Sequence, residues 1–423
     1  MLKSIAQPSP DLQAFIQSSG HPLNQAQERH ITQVADALVT IDGRKTLSSL
    51  YRAISGDPCP KAGADTFRVA PWQADDLRIP LREKLVQDAL IQREAAHQKP
   101  IIFLSLDDGL TDKDKGSKRL QAVDWHFDHV NALPNHPAFT KGCVYVMLRL
   151  TVGEVSFTID MQLYLRASTV RRLNKEREPG KRLTFHSKID IAQQMLEAVA
   201  PFIPPHYRVY VLFDSWYAAA SLLKWCRAQD WHIICRLKSN RLLNGEQVRY
   251  HNQRLKHRRY TRVRITAADE ERPKTYLVRS LTGQLSSLPD DVRVFISKRH
   301  NRDTRPRYFC STDLSLSAHQ ALSRYHERWG CDVANWYIAE KLGWADCRLW
   351  HVESVEKYLV VLWLALAYIE VRKASSYAHH NLADVIRLHR QEHARALLEE
   401  ACQLVLQTHD LQQVYRRYSL AAA

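Results

Sequence analysis

The sequence predicts an α/β fold preceded by a helical N-terminal region, on three observations. Residues 1–97 carry apolar side chains at helical spacing, as in LNQAQERHITQVADALVTIDG and DDLRIPLREKLVQDALIQREAA. From Pro100 the texture changes to short apolar runs, PIIFLSLDDG and RVYVLFDSWY, and each stops at aspartate. Later stretches at helical spacing end in the apolar YLVVLWLALAYIEV, Tyr358 to Val371.

Taken in order, the N-terminal region reads as a small helical bundle, for DNA binding in the helix-turn-helix manner or for dimerisation. PIIFLSLDDG has the continuous apolar character of a strand buried on both faces. AVDWHFDHV, GCVYVMLRLTVG and EVSFTIDMQLYLR follow as strands, the middle one also compatible with helix. RRLNKEREPGKR (171–182) reads as a basic loop, and KIDIAQQMLEAVAPFI as a helix. RVYVLFDSWY and the helix after it repeat the strand-then-helix pattern, and WHIICRLK is one more strand. Residues 239–307 are strongly basic, with seven Lys or Arg between Arg249 and Arg264, and contain strand-like TYLVRSL and DVRVFISKR. YHERWGCDVANWYIAEKLG, Tyr325 to Gly343, reads as one helix, followed by the apolar helix and a helical tail.

Composition narrows the function. A chain of 423 residues with 45% apolar side chains supports two or three domains and excludes wholesale disorder. Lys and Arg exceed Asp and Glu by 15, which favours a polyanionic partner such as nucleic acid over a merely solvated basic surface. Neither GxGxxG nor GxxxxGK[ST] occurs, so phosphate-cradling glycine loops are not expected. The eight cysteines form no CxxC pair, which argues against a zinc module. MLKSIAQPSPDLQAF lacks the apolar core of a signal peptide. The apolar 358–371 run is shorter than the ~18 residues a membrane span requires and carries Glu370. A cytoplasmic protein with reduced thiols and no membrane partner is the resulting expectation.

Carboxylates carry the chemical hypothesis. Asp107 and Asp214 each close an apolar strand, where a side chain can leave the core while its backbone stays fixed. Acids held this way converge on hard divalent cations, and two such ions can flank a phosphodiester. A single strand-end aspartate more often caps a turn or a helix. In the 325–343 helix, Tyr325, Trp329, Asp332 and Trp336 recur at spacings of about one turn, which places Asp332 with the aromatic residues and toward the core. A buried carboxylate needs a partner or a metal, and the alternative to a metal is an ion pair with Arg328 one turn back. Glu327 falls toward solvent, and Glu340 lies about 12 Å further along the axis.

These residues together resemble a bacterial insertion-sequence transposase of the DDE type, in the branch with the signature Tyr-x2-Arg-x3-Glu-x6-Lys. VYVLFDSWY matches the block of the second acid, and Tyr325, Arg328, Trp329 and Leu342-Gly343 align with the third. Asp332 stands where the signature has Glu, Ala339 where it has Lys, and Gly109 where the first block, Asp-x-Thr, has Thr. The likeness spans roughly 100–371. It implies an RNase H-like mixed sheet flanked by helices, split as 98–238 and 308–375 around a β-rich basic insertion at 239–307. The helical domain at 1–97 precedes this core, and a helical region at 376–423 follows it.

The resemblance further implies that Asp107, Asp214 and Asp332 are catalytic and hold Mg2+ or Mn2+. It implies that Tyr325 and Arg328 contact phosphate or the acid cluster. Arg254, Lys256, Arg258, Arg259, Arg262 and Arg264, with Tyr250 and Tyr260 nearby, would bind DNA, or alternatively form a solvated strand face. The implied partners are double-stranded DNA, as the element's inverted repeats and as target, and a second copy of the chain in the DNA complex. The implied location is the nucleoid. Three functions compete: a DNA transposase, a catalytically impaired or domesticated DNA-binding derivative, and an RNase H-like nuclease without strand transfer.

Overall fold

The computed structural model describes residues 4–55, 60–95, 100–113, 116–128, 131–132, 136–257, 259–266, 273–418 and 420. Five helices lead: α1 (Pro10–Gln17), α2 (Gln25–Thr40), α3 (Leu47–Ala53), α4 (Pro60–Val69) and α5 (Ala74–Ala95). Then come β1 (Ile101–Asp112), β2 (Asp124–Phe127), β3 (Phe139–Val152), β4 (Val155–Tyr164), α6 (Ala167–Asn174) and α7 (Lys188–Val199). The parallel strands β5 (Arg208–Phe213) and β6 (His232–Leu237) flank α8 (Ala220–Ala228). A small ribbon, β7 (Leu242–Leu243) and β8 (Glu246–Gln247), precedes α9 (Val248–Arg254). Next are β9 (Thr261–Ile265), β10 (Lys274–Gln284), β11 (Asp291–Lys298) and β12 (Arg307–Ser311). The chain closes with α10 (Ala318–His326), α11 (Trp329–Trp336), α12 (Val352–Ser376), α13 (Leu382–Thr408) and α14 (Leu411–Arg417).

One mixed sheet organises the molecule, in the order β2-β3-β1-β5-β6-β12-β11-β10-β9, with β4 also on β3. β1 pairs antiparallel with β3 and parallel with β5, and β5 pairs parallel with β6. This is a large mixed sheet flanked by helices, with an order and directions compatible with the RNase H-like core that the resemblance implies. The strands β9, β10 and β11 extend the same sheet antiparallel through β12. Alternation along the strands sorts two cores. Ile102, Leu104, Leu106, Val211, Phe213 and Ile233 join the larger one, which is continuous from α1 to α13. Tyr210, Leu212, Ile234, Phe295 and Phe309 join a smaller one against α10.

The charge inside the apolar helix has a local explanation. Tyr358 to Glu370 on α12 are all buried. Glu370 forms an ion pair with buried Arg149 of β3 and accepts the Thr158 amide at 2.6 Å. A second buried junction ties α2 to α13. Nε2 of His389 and Nε2 of His393 lie 2.7 and 2.8 Å from Oδ1 of Asp36, and the Ser9 amide donates to its Oδ2 at 2.7 Å. Nη1 of Arg372 lies 3.3 Å from Nδ1 of His389. Arginine only donates, so Nδ1 accepts and Nε2 carries the proton toward Asp36.

Four local readings of the sequence change. β1 does not stop at its aspartates but runs on to Asp112, because β3 pairs with it as far as Asp112↔Gly142 while β5 leaves at Ser105↔Leu212. The ambiguous GCVYVMLRLTVG is strand, inside β3. Residues 171–174 of the expected loop are the last turn of α6. The single helix over 325–343 is two helices and a π turn over Tyr337–Lys341, because amide-to-carbonyl bonds tighten to three residues at Glu327, Arg328, Gly330 and Cys331. That break rotates the face: Cys331, Ala334 and Ile338 are buried, whereas Trp329 and Trp336 are each 48% exposed. Asp332 therefore does not share a core-facing aromatic stripe. No described helix is long and apolar enough to cross a membrane. The seven described cysteines are free, and Cys59 lies outside the described residues.

Candidate active site

Asp107 and Asp214 owe their nearness to register. Ser105 of β1 pairs with Leu212 of β5, so two residues on, both chains present an aspartate in step. β5 has ended by Asp214, whose Oδ1 accepts the Trp216 amide at 2.8 Å, so the acid also shapes the turn leaving the strand. Alternation sends Asp107 to the face covered by α10 and α11, and Asp108 to the face covered by α7. The contacts agree: Asp107 meets Arg328, and Asp108 meets Lys188.

A cavity of about 880 Å3 opens at this sheet edge, and Asp107, Asp108, Asp214 and Asp332 all line it. Arg328, between α10 and α11, bridges two of them. Its Nη1 lies 2.5 Å from Asp107 Oδ2 and its Nη2 2.9 Å from Asp332 Oδ2. The ion pair that the sequence offered as the alternative for Asp332 is thus present, and Asp332 lines the same cavity as the other two acids.

Burial pushes the Asp107 carboxyl up to about 7, with the charges of Asp332 and Asp108 adding and Arg328 opposing. Asp332 is raised in the same way: burial leads, Arg328 opposes, and the charge of Asp214 adds. Arg328 remains a fixed cation, because the two acids outweigh its own desolvation. On the opposite side of β1, Asp108 is neutralised by Lys188 at 2.6 Å and accepts the Tyr217 hydroxyl at 3.1 Å.

Gly109 is set by packing. A Cβ there would fall 2.3 Å from the hydroxyl of Tyr145. That ring fills the space a threonine side chain would take, and its hydroxyl donates to Asn335 Oδ1 at 2.8 Å, one turn after Asp332. Tyr145 stays protonated because burial raises it far above its usual range. The first strand and the acid-bearing helix are thereby pinned together.

The donor set suits a divalent cation. Three carboxylates offer hard oxygens of the kind Mg2+ and Mn2+ take, and a protein cation already bridges two of them. Asp107, Asp214 and Asp332 are the residues that would hold such an ion. The three are more widely spread than the Asp36, His389 and His393 set, which among the described residues is the one trio of potential ligands with all donor atoms within 4.8 Å of one another.

The remaining sequence candidates lie elsewhere. Tyr325 packs on Phe309 (centroids 4.9 Å apart) and borders a second cavity. Arg254 is exposed and paired with Glu246 at 2.8 Å. Arg259, Arg262 and Arg264 are exposed; on β9 the last two alternate with Val263 and Ile265, which face the core under α10, so they point away from the face of Asp107. Arg258 and the side chain of Lys256 lie outside the described residues. Asp108, Lys188 and Asn335 are site residues that the sequence reading passed over. The signal for Asp108 was available, since adjacent residues of a strand must face opposite ways.

A model of DDE superfamily endonucleases matches residues 19–286, more than half of the chain. The chain belongs to that family. The match contains Asp107 and Asp214 and ends before Asp332. No curated protein matches the chain. Family membership points to transposase-type nuclease chemistry on a DNA substrate, with divalent metal as the usual helper.

Proposed function

We propose that this DDE-family chain is a DNA transposase, which cuts the ends of an insertion element and joins them to target DNA. The observation that carries the reading is the convergence of Asp107, Asp214 and Asp332 on one cavity, with Arg328 bridging two of the acids. A bound Mg2+ or Mn2+ pair would supply activation of the attacking hydroxyl and stabilisation of the leaving oxygen. The chain's own part is to position. β1 and β5 fix the first two carboxylates through register, and the bond between Tyr145 and Asn335 fixes the helix that carries the third. Arg328 is placed to hold a phosphate once the acids are otherwise neutralised.

In this reading the core is RNase H-like, divided at 98–238 and 308–375. Residues 1–97 bind DNA or dimerise, 239–307 form the basic insertion, and 376–423 close the chain. Arg254, Lys256, Arg258, Arg259, Arg262 and Arg264 offer DNA a further basic surface. Two copies of the chain act on paired ends, in the cytoplasm at the nucleoid. The second reading, a catalytically impaired DNA-binding derivative, is favoured by one observation, that aspartate at 332 is a methylene shorter than the signature glutamate.

The test is incubation of the purified protein with DNA carrying the inverted repeats that flank its coding sequence, in Mg2+ or Mn2+. Transposase action gives cleavage at the repeat ends and joining to a second DNA, both lost in Asp214→Asn. Specific binding without cleavage supports the second reading, and cleavage without joining supports a stand-alone nuclease.

A further inference from the structure

The edge of the sheet that carries the acids does not end with them. Leu212 of β5 pairs with Ile234 of β6, so Asp214 and Arg236 are in step on the same face. Arg236 pairs with Phe309 of β12, and Arg307, two residues earlier, shares that face. Ser297 of β11 pairs with Arg307, and Arg299 follows it by two. Lys274 at the start of β10 pairs with Ile265, a residue of the same core. Arg236, Arg307, Arg299 and Lys274 thus continue the row of Asp107 and Asp214 along one edge and one face.

A cavity of about 520 Å3 lies along this row, lined by those four side chains and by Arg305. The single acid among its described lining residues is Asp303, and it is engaged locally, accepting the amides of Arg305 at 2.9 Å and Arg299 at 3.4 Å. Arg299 stacks on Tyr276 with its guanidinium 5.4 Å from the ring centre, which holds its plane at the cavity wall. Tyr325 borders the trough, and its ring centre lies 5.9 Å from the guanidinium of Arg328. Its hydroxyl is buried, meets no hydrogen-bond partner among the described residues and stays protonated through burial. It is a donor beside a row of cations.

Lys298 lines the space as well, so six Lys or Arg side chains from four strands and the loop before β12 stand against one locally engaged acid, which fits a chain of phosphates better than a single one. From β5 to β10 is four strand spacings, roughly 19 Å at about 4.8 Å each. At 3.4 Å per base pair that spans about five or six base pairs. We infer that this trough seats the phosphate backbone of the DNA flanking the phosphodiester held at Asp107, Asp214 and Asp332. The inference rests on the transposase reading for the identity of the polyanion. It assigns the contact to Arg236, Lys274, Arg299, Arg305 and Arg307, none of which the sequence pattern singled out.

The experiment is fluorescence anisotropy of a short duplex oligonucleotide across a salt series, with EDTA present so that cleavage plays no part. The proteins are wild type, Arg305→Ser/Arg307→Ser and Arg236→Ser/Arg299→Ser, all exposed positions, with thermal melts to verify folding. Each phosphate contact contributes about 0.9 to the slope of log affinity against log salt. Each double variant should therefore lose a slope of about two and bind about fivefold or more weakly at physiological salt. Wild-type slope and affinity in both folded double variants would overturn the trough and leave the transposase reading standing. A wild-type protein that does not bind duplex DNA at all would overturn both.

Discussion

Removing Arg328 tests the electrostatics of the site in a way that depends on pH. In Arg328→Met the stem is kept and the guanidinium lost. The contact with Asp107 is 2.5 Å long between side chains only 17% and 15% exposed, so its loss falls in the range of a broken buried pair, ~3–5 kcal/mol when the acid is ionised. The contact with Asp332, 37% exposed, adds no more than ~1 kcal/mol. Asp107 limits the damage by taking a proton. Its folded value is raised to about 7, so the carboxyl is largely neutral at pH 5.5 and largely ionised at pH 8.5. A raised acid favours the folded state most below its unfolded value and loses that advantage as pH climbs through the folded one. The variant should therefore differ little from wild type at pH 5.5 and melt several degrees lower at pH 8.5 in EDTA, taking ~1–2 °C per kcal/mol for a chain longer than the usual reference domains. Adding Mn2+ should recover more of the melting temperature in the variant than in wild type, because the metal then replaces a missing cation. Calorimetry at the two pH values, with and without Mn2+, gives all four numbers. A destabilisation equal at both pH values, or larger at pH 5.5, would refute the assigned coupling between Arg328 and Asp107.

Three further outcomes follow from the packing. Gly109→Ala forces a Cβ into the Tyr145 ring and should lower stability by ~1–3 kcal/mol in urea unfolding, a modest change for so small an addition. Glu370→Ala leaves Arg149 buried without its partner and should cost ~3–5 kcal/mol by the same assay. Burial alone would raise Asp36, but the hydrogen bonds from His389 and His393 overcome it and hold the acid down at about 2. Its contribution is present above the unfolded value near 4 and lost as pH falls toward 2, so Asp36→Asn should flatten the acid-unfolding curve in that window and lower stability at pH 6.

Much of this arrangement is legible in the residues. The apolar runs before Asp107 and Asp214 gave strands, because a short, largely apolar run buried on both faces has little else to become. Their register, which brings the two acids into step, is a tertiary property and could not be read from either run alone. The break after His326 removes the core-facing stripe that the helical spacing implies for Asp332, yet Asp332 lines the acid cavity, since the family spacing does not depend on helix straightness. The basic run at 254–264 is visible in the sequence because its charges are crowded into one short stretch. The cations that share a face with the acids are scattered over four strands, and only the sheet order gathers them. Gly109 shows the reverse case: a departure from the family pattern whose cause, the ring of Tyr145, sits on the neighbouring strand.

The central claim is that three aspartates act as one site. The most direct test is cleavage of plasmid DNA in Mn2+ by wild type and by Asp107→Asn, Asp214→Asn and Asp332→Asn, with Glu340→Gln as the control on the same helical segment. Each aspartate variant should lose cleavage by orders of magnitude while remaining folded, and the control should cut as wild type does. Wild-type cleavage by any one of the three aspartate variants would contradict the claim.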